Sequence, residues 1–156
     1  MNESAPPPVP AVSGHAPKTA PLRLLYVESH WLSRRTVWHL MQDVDCVWTY
    51  ADNAAQAVSL VSKAGVAREP FDVIIVDHDQ TQGGSGLCVV RALREAGCKD
   101  TIIAIGVDAI SELERQRYAT FEVSFLLLTP ENHGDLKTAV RAVVGQDTTA
   151  DGETPA

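Results

Sequence analysis

Asp77 ends the run Phe71-Asp72-Val73-Ile74-Ile75-Val76-Asp77, in which consecutive β-branched residues give way to a carboxylate and then to the Gly-rich stretch Gly83-Gly84-Ser85-Gly86. The run is too short for a helix and suits a strand buried on both faces of a parallel sheet. Its carboxylate then stands at the strand's carboxyl end, where ligands collect in open α/β sheets. An Asp leaving a strand also serves as a turn former or helix cap, so position alone leaves both roles open.

The other reactive side chains are sparse. His78 beside Asp77 has the chemistry to relay protons, but its ordinary reading is a turn histidine exposed to water. Cys46, Cys88 and Cys98 are an odd set without C-x-x-C spacing, and the five histidines form no metal-type pairs with them, which fits a reducing, cytosolic setting. Cys88 reads as a small buried hydrophobe and Cys98 as a loop thiol that cross-links only under oxidation. No G-x-G-x-x-G follows the first strand and no G-x-x-x-x-G-K-[ST] occurs, so dinucleotide and NTP binding lack their usual signals. Gly84-Ser85-Gly86 follows a loop and not a strand end, so the nucleophile elbow of a hydrolase is missing too.

The elements that must hold Asp77 are legible around it. Leu22 to Val27 suits a first buried strand, with Glu28-Ser29 at its carboxyl end. From Trp31 to Val44, Val37, Leu40, Met41 and Val44 recur at helical spacing while Arg34, Arg35, His39 and Gln42 fall on the other side. Cys46 to Tyr50 has strong strand propensity. Asp52 or Asn53 can cap a helix through Ala57, Val58, Leu60 and Val61 that stops at Ala64-Gly65. After Asp77 and the turn from His78 to Gly86, Leu87, Val90 and Leu93 mark a third helix closing at Ala96-Gly97. Thr101 to Ile105 is a fourth strand, and Ser111-Glu112-Leu113-Glu114 is a capping box opening a polar fourth helix towards Thr120. Val123 to Leu128 is a fifth strand, broken at Thr129-Pro130. Asn132 with Asp135 opens a last helix carrying Leu136, Ala139, Val140 and Val143. Alternating strands and helices imply a doubly wound α/β fold with a five-stranded parallel sheet.

With 156 residues there is room for one ordinary domain, expected over 22–145. The Pro/Ala/Ser-rich residues 1–21 read as a disordered leader, and 146–156 as a disordered tail or linker. The net charge is −7 and no Lys/Arg cluster forms a stripe, which disfavours nucleic-acid binding. No stretch approaches the roughly 20 apolar residues of a membrane span, so the segment is expected to be cytoplasmic and off the membrane.

In order and spacing the layout resembles the receiver domain of bacterial two-component response regulators, over Leu22 to about Val144. The matching features are an acid after strand one (Glu28), the acid after strand three (Asp77), Gly86-Leu87 opening helix three, and Pro130 after strand five. The resemblance implies a flavodoxin-like fold with sheet order 2-1-3-4-5. It also implies a phosphoacceptor role for Asp77, which would take a phosphoryl group from a histidine kinase, and a Mg²⁺ site using acids after strand one. Several partners of that chemistry differ here. Glu28-Ser29 replaces two adjacent acids, leaving Glu28 and Asp77 as the metal residues and only weak Mg²⁺ binding, with Asp79 as a compensating carboxylate. Gly106 stands where the family has a hydroxyl, Thr129 where it has a lysine, and Leu126, read as strand core, where it has a switching aromatic. The turn after Asp77 lacks the usual Met-Pro and is one residue longer.

The expectation is a degenerate receiver, or pseudo-receiver, in two-component-type signal transduction, with no enzymatic activity and no required cofactor. It would act through contacts with a signalling protein: a histidine kinase, a phosphotransfer protein or an output protein. The alternative is an atypical receiver still phosphorylated on Asp77; a flavodoxin-like small-molecule enzyme or binder is a third class. Arg115, Arg117 and Tyr118 read either as part of a partner face with strand five and helix five or as a solvated helix surface. The resemblance also suggests a homodimer through helix four, strand five and helix five, with Glu112 to Arg117 and Leu136 to Val143 supplying its charged and apolar groups.

Overall fold

The structure is a computed structural model that describes residues 20–82 and 84–149. Residues 1–19 of the expected leader and 150–156 of the expected tail lie outside the described residues. The elements follow in the order β1 (Leu22–Val27), α1 (Trp31–Leu40), β2 (Cys46–Ala51), α2 (Ala54–Val66), β3 (Val73–Asp77), α3 (Gly86–Glu95), β4 (Ile102–Gly106), α4 (Glu112–Thr120), β5 (Ser124–Leu127) and α5 (Asp135–Thr149). The strands form one parallel sheet ordered β2-β1-β3-β4-β5, the doubly wound architecture expected.

Side chains on a strand alternate between faces, so each buried strand feeds two cores. Leu25, Val27, Ile74, Val76, Ile102 and Ala104 pack with residues of α2, α3 and α4, including Ala57, Val90 and Tyr118. Leu24, Tyr26, Val73, Ile75, Ile103 and Ile105 pack instead with Val37 of α1 and Met41 just past its end, and with Leu136 and Val140 of α5. The apolar residues Leu136 and Val140, expected to serve a dimer face, are therefore core.

Local signals account for the element ends. Asn53 accepts from the Gln56 N–H at the start of α2, and Ser111 and Glu114 form the reciprocal capping box of α4. Helix α1 ends at Leu40 rather than Val44, because the Met41 N–H is shared between the Val37 and Trp38 carbonyls and tightens the last turn. Gly97, with φ +87°, turns the chain back after α3 so that the Cys98 N–H reaches the Leu93 carbonyl. Cys98 is thereby tucked into the core and is not an exposed loop thiol. Cys88, expected inside, is exposed, because the buried stripe of α3 runs through Gly86, Val89, Val90 and Leu93 and leaves position 88 outside it.

Candidate functional site

Asp77 and Tyr26 share a face of the sheet. β1 and β3 pair with Val27 opposite Val76 and Tyr26 opposite Ile75. Residues two apart lie on one face, so Asp77 is the diagonal neighbour of Tyr26 on the α1/α5 side. The Tyr26 hydroxyl donates to Asp77 Oδ2 at 3.0 Å, and the Asp79 N–H donates to Asp77 Oδ1 at 3.1 Å. Both carboxylate oxygens thus have an internal partner. Burial nevertheless outweighs the two hydrogen bonds and, with the nearby Glu28 and Asp79 charges, pushes the Asp77 carboxyl up from 3.8 to about 6. Burial and the Asp77 carboxylate also hold the Tyr26 phenol well above its ordinary range, so it remains a donor.

Glu28 is fully buried just past β1. Its Oε1 accepts from the His30 N–H at 3.0 Å and faces the Ser29 hydroxyl at 3.5 Å, so the carboxylate is turned onto the backbone that leads into α1. Arg34 closes over this corner. Its Nε donates to the Glu28 carbonyl at 2.6 Å, a terminal nitrogen donates to Asp52 Oδ1 at 2.6 Å, and the guanidinium lies 4.9 Å from the Tyr50 ring centroid. The amphipathic pattern places Arg34 on the solvent side of α1, but its length lets the cation fold back over the strand ends.

The turn after Asp77 is closed by a bridge between Asp79 and Ser85, and the Asn53 amide donates to Gln82 Oε1 at 3.3 Å. Gln80 points inward: its amide nitrogen donates to the Val27 carbonyl at 3.0 Å and to the Asp77 carbonyl at 2.6 Å, tying the ends of β1 and β3 together. Asp79 reaches Asp77 through its backbone N–H.

The remaining positions are committed elsewhere. A Cβ at Gly106 would lie 3.0 Å from the Phe125 ring, so an aromatic side chain fills the space next to it. The Thr129 hydroxyl donates to Asn132 Oδ1 at 2.9 Å, and the Asn132 amide donates to the Leu127 carbonyl at 2.7 Å, so Thr129 belongs to the β5–α5 turn. Leu126 packs with the α1/α5 core.

His78 is buried, contrary to the exposed turn residue expected. Its Nδ1 lies 2.6 Å from the Tyr118 hydroxyl and its Nε2 3.0 Å from Glu114 Oε2. In the tautomer whose Nε2–H donates to Glu114, Nδ1 accepts a hydrogen bond from the Tyr118 hydroxyl. Tyr118 is fully buried, not part of an exposed face. Burial, then the Glu114 and Asp77 charges, raise its phenol above the ordinary range. This packing requires Gly86, where a Cβ would stand 2.6 Å from the Tyr118 hydroxyl and 2.8 Å from the Asp77 carbonyl. The residue following Asp77 is thereby joined to α4. Sequence reasoning singles out His78 and Tyr118 but expects both at the surface, and it gives Tyr26, Arg34 and Gln80 no part in the site; for these three, only the polar tip of Tyr26, inside an otherwise apolar strand, offered a signal.

A Mg²⁺ ion needs several oxygen ligands in near-octahedral array. Here Asp77 and Glu28 accept internal hydrogen bonds, Ser29 is neutral, and an amide donor, Gln80, faces the Val27 and Asp77 carbonyls. Among the described residues no group of three or more His, Cys, Asp or Glu side chains is placed to hold a metal ion. This donor set does not fit Mg²⁺.

No family model and no curated protein sequence matches the chain. Solved structures do. The chain is similar to the chemotaxis response regulator CheY4 of Vibrio cholerae, at 25% identity and a TM-score of 0.62, covering 80% of this chain and 99% of that one. It is similar to the receiver domain of the histidine kinase CKI1 from Arabidopsis thaliana, in a complex with Mg²⁺ and BeF₃⁻, at 18% identity and a TM-score of 0.62, covering 78% and 90%. The receiver domain of the Francisella response regulator 1452 matches at 14% identity and a TM-score of 0.64, covering 80% and 98%. The fold is that of receiver domains.

Proposed function

We propose that the chain is a degenerate receiver that takes part in two-component-type signalling through protein contacts, without Mg²⁺-dependent phosphorylation of Asp77 and without enzymatic activity of its own. The observation that carries this reading is the state of the Asp77 carboxylate, with Oδ2 held by the Tyr26 hydroxyl and Oδ1 by the Asp79 N–H. Phosphoryl transfer to a carboxylate depends on positioning and on cations that neutralise the moving oxygens. Here Thr129 and Gly106 supply neither charge nor hydroxyl to Asp77, and Arg34 is bound to Asp52 and the Glu28 carbonyl.

The partners are a histidine kinase, a phosphotransfer protein or an output protein, in a cytoplasmic setting, and not nucleic acid. No helix among the described residues is long and apolar enough to cross a membrane. Self-association through α4, β5 and α5 belongs to the same proposal, with the exposed Leu113 and Val107 as its apolar contacts, since Leu136 and Val140 are buried.

The test is incubation with acetyl phosphate and, separately, beryllofluoride in the presence of Mg²⁺, read by intact mass and by the fluorescence of the exposed Trp31. The expected result is no adduct and no saturable fluorescence change. A hydroxylamine-labile gain of one phosphate that disappears in Asp77→Asn establishes the alternative, an atypical phosphoacceptor.

A further inference from the structure

Between α3 and α4 runs an open trough of about 460 Å³, within the size range of ligand sites. Leu87 and Phe121 give it an apolar floor, and Arg91 and Arg117 stand on its opposite walls beside the exposed Cys88. Two features set it apart from an ordinary solvated helix surface.

The first is that its walls are fixed. Arg94, one turn from Arg91, donates through Nε to the Phe121 carbonyl at 3.0 Å, and through a terminal nitrogen to the Cys98 and Asp100 carbonyls at 3.0 and 2.8 Å. That pins the C-terminal end of α3 to the end of α4. At the other end, the close approach of Gly86 to Tyr118, itself hydrogen-bonded to His78, sets the spacing. A trough held at both ends loses little entropy when it is filled.

The second is its charge. The chain has 20 acidic and 13 basic residues, yet the trough is lined by two arginines and no carboxylate, and neither guanidinium has a hydrogen-bond or ion-pair partner among the described residues. Two unpaired guanidiniums across an apolar floor, on a protein whose net charge repels anions, locate where an anionic group would be attracted.

We infer that the α3–α4 trough binds an acidic segment of a partner protein, with an apolar side chain on Leu87 and Phe121 and flanking carboxylates on Arg91 and Arg117. The site adjoins the loop that follows Asp77 through Ser85.

The test uses the full chain and a fluorescein-labelled decapeptide of alternating glutamate and leucine pairs, followed by anisotropy. Alkylation of Cys88 by iodoacetamide, read by peptide mass, reports location, since Cys98 is buried and serves as an internal control. The expected result is saturable, salt-sensitive binding that slows Cys88 alkylation and is weakened by about tenfold or more in the Arg91→Glu/Arg117→Glu double variant. Arg35→Glu, on the exposed face of α1, leaves binding unchanged. Absence of binding, binding indifferent to the double reversal, or unchanged alkylation at saturation overturns the assignment. So does equal binding of an all-glutamate decapeptide, or equal protection of Cys88 by anionic phosphatidylserine vesicles. An unchanged thermal transition for the double variant confirms that the arginines were tested in a folded protein. None of these readouts depends on whether Asp77 accepts a phosphoryl group.

Discussion

Replacing Asp77 by Asn isolates the cost of keeping an ionised carboxylate at the end of β3. Burial raises the Asp77 carboxyl from 3.8 to about 6 in spite of the bonds from Tyr26 and Asp79, a displacement equivalent to about 3 kcal/mol between the two protonation states. Between those two values the folded protein binds more protons than the unfolded chain, so stability falls as the pH rises. The contribution is fully present below the ordinary 3.8 and is lost as the pH passes through about 6. An Asn side chain does not titrate. It keeps an acceptor for the Tyr26 hydroxyl but presents one amide donor to the Asp79 N–H, which forfeits about 1 kcal/mol. The difference between wild type and Asp77→Asn should therefore swing by about 3 kcal/mol in favour of the variant across this window, leaving it about 2 kcal/mol more stable at neutral pH. Urea titrations of both proteins, followed by tryptophan fluorescence at several pH values from about 4 to about 7.5, measure the swing directly. Parallel stability curves, or a wild type that gains on the variant as pH rises, would refute the reasoning.

Tyr26→Phe removes the donor to Asp77 Oδ2; it should cost about 1.5–3 kcal/mol at neutral pH and move the acid-side step in the same titrations to higher pH. Gly86→Ala sets a methyl against the Tyr118 hydroxyl and two backbone atoms of residues 77 and 78, and denaturation should show a loss of about 2–3 kcal/mol. Gly106→Thr restores a hydroxyl in name only: its Cβ meets the Phe125 ring, so calorimetry should show a loss of about 1–3 kcal/mol with no gain in beryllofluoride response. Light scattering across concentration should show self-association that Leu113→Glu weakens; a strictly monomeric mass at high concentration excludes the α4–β5–α5 interface.

The fold was legible because its determinants are local and repeated. Val73 to Val76, Leu22 to Val27 and Ile102 to Ile105 announce buried strands, and Asn53 and Ser111 announce helix starts that the hydrogen bonds bear out. The bonding around Asp77 was not legible, because it is made by residues whose pattern says something else. Tyr26 is part of an apolar strand, and only the diagonal geometry of β1 against β3 delivers its hydroxyl to the carboxylate. Arg34 follows the polar side of α1 and bends back. His78 and Tyr118 have polar tips that suggest solvent, yet each satisfies the other inside the fold. The reversal of Cys88 and Cys98 has the same origin: burial depends on helical phase to within one residue and on a turn at Gly97, finer than spacing alone resolves.

The Gln80 amide joins the carbonyl ends of β1 and β3. Because it is a covalent part of the chain, this link is present at one per molecule whatever the surrounding solution contains. A chelator has nothing to withdraw from it and ionic strength acts on it only weakly, since an amide carries no net charge. The separation of the two strand ends is accordingly set when the protein folds. On the proposed function, adding or chelating a divalent ion leaves that separation unchanged.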